Sequence, residues 1–311
     1  MMVKFDSTPD NSACVCVDGS YVVYAILHGA VKDWKDESRD AENLPDMKAE
    51  PNASPIDVLV YESFRDVLRK KVGDTMYKVR NVIRDNILGG VSVYDPLDVF
   101  FVLDSHTGNW RYEYLKSYKA NRRTQKHPFE VRRVFDYIVN TLIPNCNLLD
   151  DLGWKRIEVH GVEGDDITAT IMRNTTASVK GIVSSDHDYL QLGPSVKIFD
   201  LRGENHEILP DEYNGKRLTH GQAIKMKVLI GDKSDNIPNV WPGIGPKKAL
   251  KKYIVDVDRS VLKDALENDP IAKKRFELNA KLIMFSEIPD YVVESVKDEI
   301  HKVSPSFKMT D

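Results

Sequence analysis

Three aspartates in this sequence each stand just after a short, strongly apolar stretch. The stretches have the length and the content of β-branched or aromatic residues that buried strands show. The predicted strands and the acids that follow them are Ala13–Val17 with Asp18, Leu97–Leu103 with Asp104, and Val179–Val183 with Asp186. Helical patterns separate them, so we expect a mostly parallel sheet with crossover helices, an α/β fold. Because the carboxyl ends of the strands in such sheets form the ligand crevice, the three carboxylates are expected to share it.

Further acids lie at other junctions between predicted elements, in the segments VEGDDITATI, SSDHD and LIGDKSDNIP. The complete candidate set is Asp18, Asp104, Glu163, Asp165, Asp166, Asp186, Asp188, Asp232 and Asp235. Two carboxylates about 4 Å apart repel by roughly 4 kcal/mol at an effective dielectric of 20, so a converging set requires cations. Oxygen ligands alone select Mg²⁺ or Mn²⁺, and a pair of such ions supports phosphodiester hydrolysis. Taken singly, each acid is equally well explained as a helix N-cap.

The charge of the chain is unevenly distributed. Its 311 residues carry 44 Lys plus Arg against 48 Asp plus Glu, a formal charge of −4. The segment from Asp33 to Glu50 holds seven acids and three bases and is expected to be a solvated or partly disordered insertion without an assigned function. Setting the nine candidate ligands aside leaves 39 acids against 44 bases. The acidic total is therefore no argument against a nucleic-acid partner.

Two segments concentrate the positive charge. Residues 109–135 hold eight bases and two acids, with Trp110, Tyr112, Tyr114, Tyr118 and Phe129 interleaved. That composition is typical of a groove that follows single-stranded nucleic acid, although a solvated helix with core aromatics has it too. The second segment, GPKKALKK, begins at Gly245.

The second basic segment belongs to the run DNIPNVWPGIGPKKALKKY. Gly243 and Gly245 permit a tight turn, and Pro246 suits the first turn of a helix whose N-terminus offers N–H groups to a phosphate. Lys247, Lys248 and Lys251 add a grip on the nucleic-acid backbone. We predict a helix-hairpin-helix motif at residues 236–253. It lies in a helical C-terminal domain, 210–311, which follows a catalytic domain at 13–209.

Six motifs occur in one order across most of the chain: CVDGS, VLDS, WRYEYLKSYKANRR, VEGDD, SSDHDYLQL and LIGDKSDNIPNVWPGIGPKKA. Together they resemble the 5′-nuclease superfamily, which includes phage and bacterial 5′–3′ exonucleases, flap endonucleases and phage RNase H enzymes. The resemblance implies a PIN-like sheet flanked by helices, with a helical arch at about 109–135. The acidic insertion matches no motif of the family, and His187 stands at a position where other members vary.

The resemblance also implies residue roles. Ligands of a first metal ion would be Asp18, Asp104, Glu163, Asp165 and Asp186, and those of a second Asp188, Asp232 and Asp235. Asp166 matches a position that is acidic in bacterial and phage members but not in all relatives. Lys119 and Arg122 match catalytic arch residues that contact the scissile phosphate and the threaded 5′ strand, and Tyr118 and Arg123 are expected to bind DNA beside them. A K⁺ ion is implied at the helix-hairpin-helix.

The activity implied is a Mg²⁺-dependent 5′-nuclease, with Mn²⁺ as a substitute, that cuts DNA and RNA–DNA hybrids from the 5′ end or at flaps during replication. Two alternatives stay open: a non-catalytic protein that binds DNA junctions, and a PIN-type ribonuclease. We expect a monomer in the cytoplasm, which would be the host's if the gene is a phage gene, and no membrane partner. A single-strand-binding protein or a sliding clamp is a candidate partner, although the tail SPSFKMTD contains no recognisable clamp-binding peptide.

Overall fold

The computed structural model describes residues 11–37, 55–90, 94–95, 97–123, 129–206, 212–213, 216–254 and 259–310. Within these residues five parallel strands form one sheet in the order β3-β2-β1-β4-β5. The strands are β1 Ala13–Asp18, β2 Leu97–Val102, β3 Lys155–Ile157, β4 Val179–Val183 and β5 Val196–Phe199. The predicted α/β fold with a mostly parallel sheet is confirmed. β5 was not predicted.

The order of the strands places a crevice beside β1. This central strand pairs with β2 on one side and β4 on the other, so the direction of chain progression reverses between β1 and β4. A reversal of this kind opens a gap above the carboxyl ends of the two strands. Asp18 ends β1, and Asp186 follows β4 by three residues, so both stand at this gap.

Helices cover both faces of the sheet and form the C-terminal part of the chain. They include α1 Gly19–Glu37, α2 Pro55–Asn81, α3 Phe129–Tyr137, α4 Gly164–Asn174, α5 His220–Ile230, α6 Pro246–Ala249, α7 Arg259–Glu267, α8 Pro270–Ile283 and α9 Asp290–Val303. Turns of π-helix extend α2 to Ile87, α3 to Leu142 and α6 to Ile254. In the part of the chain described, no helix combines the length and apolarity needed to cross a bilayer.

Alternation along β1 divides the core into two layers. Val15 and Val17 pack on the side of α1, α2 and α3, whereas Cys14 and Cys16 pack on the side of α4 and α9. A strand buried on both faces must be apolar throughout, which explains the uninterrupted run ACVCV. The two core cysteines and the exposed Cys146 are all free thiols.

The end of the chain returns to the sheet. Phe285, Val292, Val296 and Ile300 pack in the same core layer as Cys14, and the Phe307 ring meets the Phe100 ring edge-on at 5.0 Å. The segment from residue 285 onwards therefore packs in the core layer of Cys14 and Cys16, although the sequence predicts it in a separate domain that begins at 210. We placed the predicted boundary where the strand patterns stop. Such a boundary does not indicate which part of the fold the following helices pack against.

A junction of hydrogen bonds joins the end of α8 to the sheet layer. The Arg173 guanidinium donates to the Phe285 carbonyl at 2.7 Å, and the Gln191 amide donates to the Ile283 carbonyl at 3.0 Å. The Phe285 N–H donates back to the Gln191 side-chain oxygen at 3.0 Å. The last two helices are thereby fixed relative to the strand ends.

The acidic insertion lies mostly outside the described residues. Only its first residues, from Asp33 to Glu37, are described, as the end of α1. Asp33 forms an ion pair with Lys71 of α2 there.

Candidate metal centre and nucleic-acid interface

Asp18 and Asp104 are held at the crevice by short hydrogen bonds. Asp18 accepts from the Tyr21 N–H at 2.9 Å and from the Ser184 hydroxyl at 2.8 Å. Asp104 accepts from the Gly164 N–H and from the Ser20 hydroxyl, each at 2.7 Å. These contacts tie the ends of β1, β2 and β4 to the start of α4, as the predicted sheet edge requires.

Gly19 allows β1 and β2 to approach at this edge. A Cβ atom added to Gly19 would lie 2.6 Å from the Val102 carbonyl oxygen and 2.8 Å from side-chain atoms of Phe101 and Leu103. Neither the backbone oxygen nor the packed side chains can move that far. The close packing at this edge therefore requires glycine after Asp18. In the sequence, the pair Asp18-Gly19 indicates this requirement.

The start of α4 brings three acids together. Ligand atoms of Glu163, Asp165 and Asp166 all lie within 4.8 Å of one another. Burial raises the pKa of Asp165, and the charges of Asp166 and Glu163 raise it further. For Glu163 the balance is reversed, because the charges of Lys119 and Arg111 outweigh burial and lower its pKa. The group therefore contains one carboxyl group whose pKa is lowered, that of Glu163, and one whose pKa is raised, that of Asp165.

Asp166 faces a different partner from its neighbours. It is fully buried, and its two oxygens accept from Arg111 Nη1 at 2.6 Å and Nη2 at 2.8 Å, while Trp110 Nε1 donates at 2.8 Å. A carboxylate whose oxygens both serve a buried guanidinium has little capacity left for a metal ion. This geometry argues against the prediction of Asp166 as a ligand, and we omit Asp166 from the ligand set proposed below.

Arg111 connects Asp166 to Glu163 and to the C-terminal helices. The guanidinium is 2% exposed, donates to Glu163 Oε2 at 3.0 Å, and donates through Nε to the Leu282 carbonyl at 2.8 Å. It also lies 4.4 Å from the Trp110 ring centre. Sequence reasoning counted Arg111 only as one of eight bases. The sequence feature that could have identified Arg111 is its position next to Trp110, at the start of the basic segment.

Lys119 and Tyr118 of the basic segment also contact Glu163. The Lys119 ammonium forms an ion pair with Glu163 Oε1 and lies 4.0 Å from Asp235 Oδ2. The Tyr118 hydroxyl donates to Glu163 at 2.9 Å and to Asp235 at 3.3 Å. Burial, followed by the charge of Glu163, raises the pKa of Tyr118, so the hydroxyl stays protonated. The predicted catalytic lysine therefore lies among the predicted ligands.

Tyr118 does not fit the predicted role in DNA binding. Its side chain is 3% exposed, so its ring face is unavailable to a base, and its hydroxyl is occupied by the two acids. The ring packs instead with Val228, Ile237 and Leu282. The side chains of Arg122 and Arg123, and all of residues 124–128, lie outside the described residues, so their predicted roles stay predictions.

A second group of acids lies next to the first. Asp186, which is predicted with the ligands of the first ion, caps the turn His187–Leu192 by accepting from the Asp188 N–H at 2.9 Å. Asp232 accepts from the Ser234 N–H at 2.8 Å and from its hydroxyl at 2.6 Å. Gly231 begins this loop with a φ of +67°, which favours glycine. A side chain would not fit there, since an added Cβ would lie 2.5 Å from the Pro238 oxygen. Asp235 lies on the side of Lys119, so it faces the first group as well as the second.

Lys227 joins the second group, and the sequence did not predict it. Its ammonium forms an ion pair with Asp188 and lies 3.4 Å from Asp232 Oδ2. Burial nevertheless raises the pKa of Asp188 despite the lysine, whereas the Ser234 and Lys227 contacts outweigh burial and lower that of Asp232. The sequence feature that could have identified Lys227 is its position three residues after Ile224, on the apolar side of α5.

The donor chemistry and the electrostatics of these residues fit divalent metal ions. All of the candidate ligands are carboxylates, which hard cations such as Mg²⁺ prefer. Burial raises the pKa of Asp18 to about 7, helped by the charges of Asp104 and Asp186, and it raises the pKa values of Asp165 and Asp188. Bound cations would relieve the unfavourable charge of all three.

The raised pKa of Asp18 predicts how pH affects the metal-free protein. Between the usual pKa of 3.8 and about 7, the folded state holds a proton that the unfolded state has released. The contribution of Asp18 to the free energy of unfolding must therefore fall as pH rises through this window. Urea titrations in EDTA at pH 5 and pH 7.5, on wild type and Asp18→Asn, measure it. An equal pH dependence in both proteins would contradict the prediction.

The hairpin segment presents backbone and lysines to solvent. Gly243 has φ of +71°, as the sequence predicts, whereas Gly245 has an ordinary φ of −114° and Pro246 begins α6. An added Cβ at either glycine would meet nothing within 4 Å, so the turn is open. Lys247, Lys248 and Lys251 are exposed. Trp241 stacks on Tyr253 at 4.9 Å behind the turn and holds it against α6.

Comparison with known proteins agrees with this geometry. The profile of the family described as 5′-3′ exonuclease, N-terminal resolvase-like domain, matches residues 58–219, just over half of the chain. Thermostable DNA polymerase I of Thermus thermophilus is 35% identical over 158 residues, which cover 49% of this chain and 17% of the polymerase. The 5′-3′ exonuclease of Streptomyces coelicolor is 32% identical over 176 residues, covering 53% and 57%. The chain thus matches less than two thirds of the length of these relatives.

Solved structures show the same fold. The flap endonuclease of bacteriophage T5, in a pseudo-enzyme–product complex with DNA and metal ions, has a TM-score of 0.57 at 16% identity, over 95% of this chain and 100% of the phage protein. The T5 5′-exonuclease with bound zinc has a TM-score of 0.55 over 94% and 99%. The architecture is that of the phage 5′-nucleases. With the profile match, the chain belongs to the 5′-3′ exonuclease family.

Proposed function

We propose that this protein is a metal-dependent 5′-nuclease that hydrolyses phosphodiester bonds of DNA, and of RNA in RNA–DNA hybrids, from 5′ ends or at 5′ flaps. The observation that carries the proposal is the convergence of carboxylates from several strand ends beside a lysine of the basic segment. Membership of the 5′-3′ exonuclease family supports it. The likeness to the DNA polymerases I favours removal of primers or flaps during replication.

Two groups of carboxylates would hold the metal ions, for which we propose Mg²⁺, with Mn²⁺ as a substitute. The first group is Asp18, Asp104, Glu163, Asp165 and Asp186, and the second is Asp188, Asp232 and Asp235. The chemistry that such ions supply when bound is activation of a water and stabilisation of the leaving 3′ oxygen. Asp166 supports the site from behind by fixing Arg111, which in turn orients Glu163.

Lys119 would orient the scissile phosphate. Its ammonium already lies between Glu163 and Asp235, and its backbone N–H donates to the Asp235 carbonyl at 2.9 Å, so its place is fixed from both ends. The residue adopts φ of +53°, a conformation that the surrounding contacts must maintain. A fixed ammonium at this position offsets negative charge that develops on the phosphate. Arg122 would act beside it.

The exposed hairpin lysines would hold the DNA duplex. Gly243, Gly245 and the start of α6 would approach its backbone, with a K⁺ ion at the helix-hairpin-helix. We propose that the protein acts as a monomer in the cytoplasm, with a single-strand-binding protein or a clamp as replication partner.

Cleavage of a defined flap tests the proposal. A labelled 5′-flap DNA duplex and a nicked RNA–DNA hybrid should each yield 5′-phosphorylated products with Mg²⁺ and none in EDTA. Gel analysis of the products with Mg²⁺ and with Mn²⁺ measures this. Tight binding without cleavage in either metal would instead indicate a junction-binding protein. Cleavage restricted to single-stranded RNA would indicate a PIN-type ribonuclease.

Removing two hairpin lysines should weaken DNA binding in a salt-dependent way. Lys248→Ala with Lys251→Ala removes two phosphate contacts, so the slope of log affinity against log salt should flatten by about 1.8. Fluorescence anisotropy of a flap duplex in Ca²⁺, at several salt concentrations, measures the slope. The matched control is Lys297→Ala with Lys302→Ala on α9, which should leave the slope unchanged. An unchanged slope in the hairpin variant would mean that those lysines do not touch the backbone.

A further inference from the structure

The side chain of Asn279 lies at the base of the loop that carries Asp232 and Asp235. Asn279 is on α8 and is 0% exposed. Its Nδ2 group donates one hydrogen bond to the Val228 carbonyl at 2.9 Å and another to the Pro238 carbonyl at 2.7 Å. The two carbonyls stand on either side of the loop, since Val228 precedes it in α5 and Pro238 follows it. One buried amide therefore joins both ends of the segment that holds two of the proposed metal ligands.

The backbone at the end of α5 explains why the Val228 carbonyl takes a side-chain donor. In an α-helix a carbonyl accepts from the N–H four residues later, which for Val228 would be that of Asp232. The Asp232 N–H instead donates to the Ile237 carbonyl at 3.1 Å, and the Ile237 N–H donates back at 2.8 Å. Closing the loop in this way vacates the buried Val228 carbonyl, and a buried carbonyl needs a donor. Asn279 supplies it.

The helix that carries Asn279 also contacts the first group of acids. The Leu282 carbonyl, three residues after Asn279, accepts from Arg111 at 2.8 Å. Arg111 in turn donates to Glu163 of the first group at 3.0 Å. Because a helix fixes the distance between its own residues, at about 1.5 Å of rise per residue, α8 can set the separation of the two groups. Asn279 is its contact to the second.

The position of the loop determines where two carboxylates stand. Asp232 Oδ2 lies 3.4 Å from the Lys227 ammonium, and Asp235 Oδ2 lies 4.0 Å from the Lys119 ammonium. Carboxylates that face one site repel each other, so a loop that could move would carry them apart. Groups that hold metal ligands in place raise the affinity for the metal ion for this reason. The two hydrogen bonds of Asn279 restrict this movement at both ends of the loop.

We propose that Asn279 is a positioning residue of the second metal site, which sets the affinity for the second ion by fixing the loop between Val228 and Pro238. The inference rests on the proposed nuclease function and specifies how its second group of ligands is held. Asn279 acts through the loop and contacts neither the ion nor the substrate.

Hydrogen exchange in the metal-free protein tests the contact itself. Asn279→Leu keeps a side chain of similar size and removes both donors. In EDTA the Ile237 N–H, which closes the loop, should exchange about tenfold faster in the variant relative to the Ile182 N–H of β4. The control is Asn174→Leu, which removes a bond to the Thr170 carbonyl at the other end of α4 from its acids and should leave the ratio unchanged. Equal acceleration of both N–H groups in Asn279→Leu would mean that Asn279 only stabilises the fold, and would overturn the proposal.

Calorimetric titration with Mg²⁺ tests the consequence for the metal. Asn279→Leu should weaken binding of the second ion about tenfold or more and leave that of the first unchanged. Asp232→Asn identifies the second ion, because it removes one of its ligands. The flap should be cleaved more slowly by Asn279→Leu at limiting Mg²⁺ and at the wild-type rate at saturating Mg²⁺, with KM for the flap unchanged. Equal weakening of both ions, or of neither, would contradict the proposal.

A measurement on the wild type decides the question if Asn279→Leu does not fold. Coupling between two sites is reciprocal, so an ion that depends on the Asn279 contacts must slow their opening. Mg²⁺ should slow solvent exchange of the Asn279 Nδ2 protons and leave that of the Asn174 Nδ2 protons unchanged. Equal Asn279 rates with and without Mg²⁺ would overturn the inference, and flap cleavage in that case would leave the proposed function intact. Slowed exchange without cleavage in any metal would support the role of Asn279 and refute the nuclease function.

Discussion

Asp186→Asn should abolish cleavage while DNA binding is retained. Asparagine keeps the side-chain oxygen that accepts from the Asp188 N–H, so the turn His187–Leu192 should keep its cap. What is lost is one negative charge at the gap between β1 and β4. We expect the rate of flap cleavage to fall at least about a thousandfold, equivalent to roughly 4 kcal/mol in the barrier. Affinity for the flap should stay equal or rise, because a charge that repels phosphate is gone.

Two measurements on one substrate check this separation. Single-turnover cleavage in Mg²⁺ gives the rate, and anisotropy in Ca²⁺ gives the affinity. Asp290→Asn is the matched control, since Asp290 also begins a helix but lies on α9, outside the carboxylate groups. It should cleave as wild type does. Cleavage by Asp186→Asn within a few fold of wild type would remove Asp186 from the proposed ligands.

Breaking the buried pair of Arg111 and Asp166 should have the largest effect on stability. Arg111→Gln leaves a carboxylate that is 0% exposed without its guanidinium partner. Removing one partner of such a pair costs about 3–5 kcal/mol, because the remaining charge is buried and uncompensated. Urea denaturation should show this loss for Arg111→Gln and a similar one for Asp166→Asn. Losses below about 1 kcal/mol would contradict a buried, charge-paired geometry.

The double replacement Arg111→Met with Asp166→Leu separates stability from chemistry. Two apolar side chains of similar volume remove both charges, so most of the stability should return. Cleavage should stay low, since Glu163 Oε2 keeps its donor from Tyr118 but still lacks the charged donor Arg111. Recovery of both stability and cleavage would mean that Arg111 only supports the fold. Urea denaturation of the two single variants and the double variant gives the interaction free energy of the pair, and the flap assay gives the cleavage rate of each protein.

Much of the site could be predicted because parallel strands share an edge. Asp18, Asp104 and Asp186 follow apolar strands, and their meeting at one edge follows from chain direction alone. The hairpin turn at Gly243 was predictable for a similar reason, because local chemistry determines it.

Other parts depend on packing that the sequence does not display. Asp165 and Asp166 are adjacent acids in the same turn, and about 100° of helical rotation separates a carboxylate at the site from one buried against Arg111. Tyr118 was predicted to bind DNA rather than to donate to Glu163, and Lys227 was not predicted at all, because the partners of both come from distant segments. The docking of α9 on the sheet was missed for the same reason.

The hydrogen bond from Arg111 to Leu282 joins residues 171 positions apart. Closing a loop of that size costs entropy before any contact returns free energy, so we expect the bond to form late, together with the contact of Asp18 and Ser184 between β1 and β4, which spans 166 positions. Glu163 depends on the same guanidinium for one of its donors. We therefore expect the carboxylates to reach their final geometry only when the sheet is complete. In a refolding experiment, nuclease activity should return with the slowest phase, and not before the circular dichroism of the sheet.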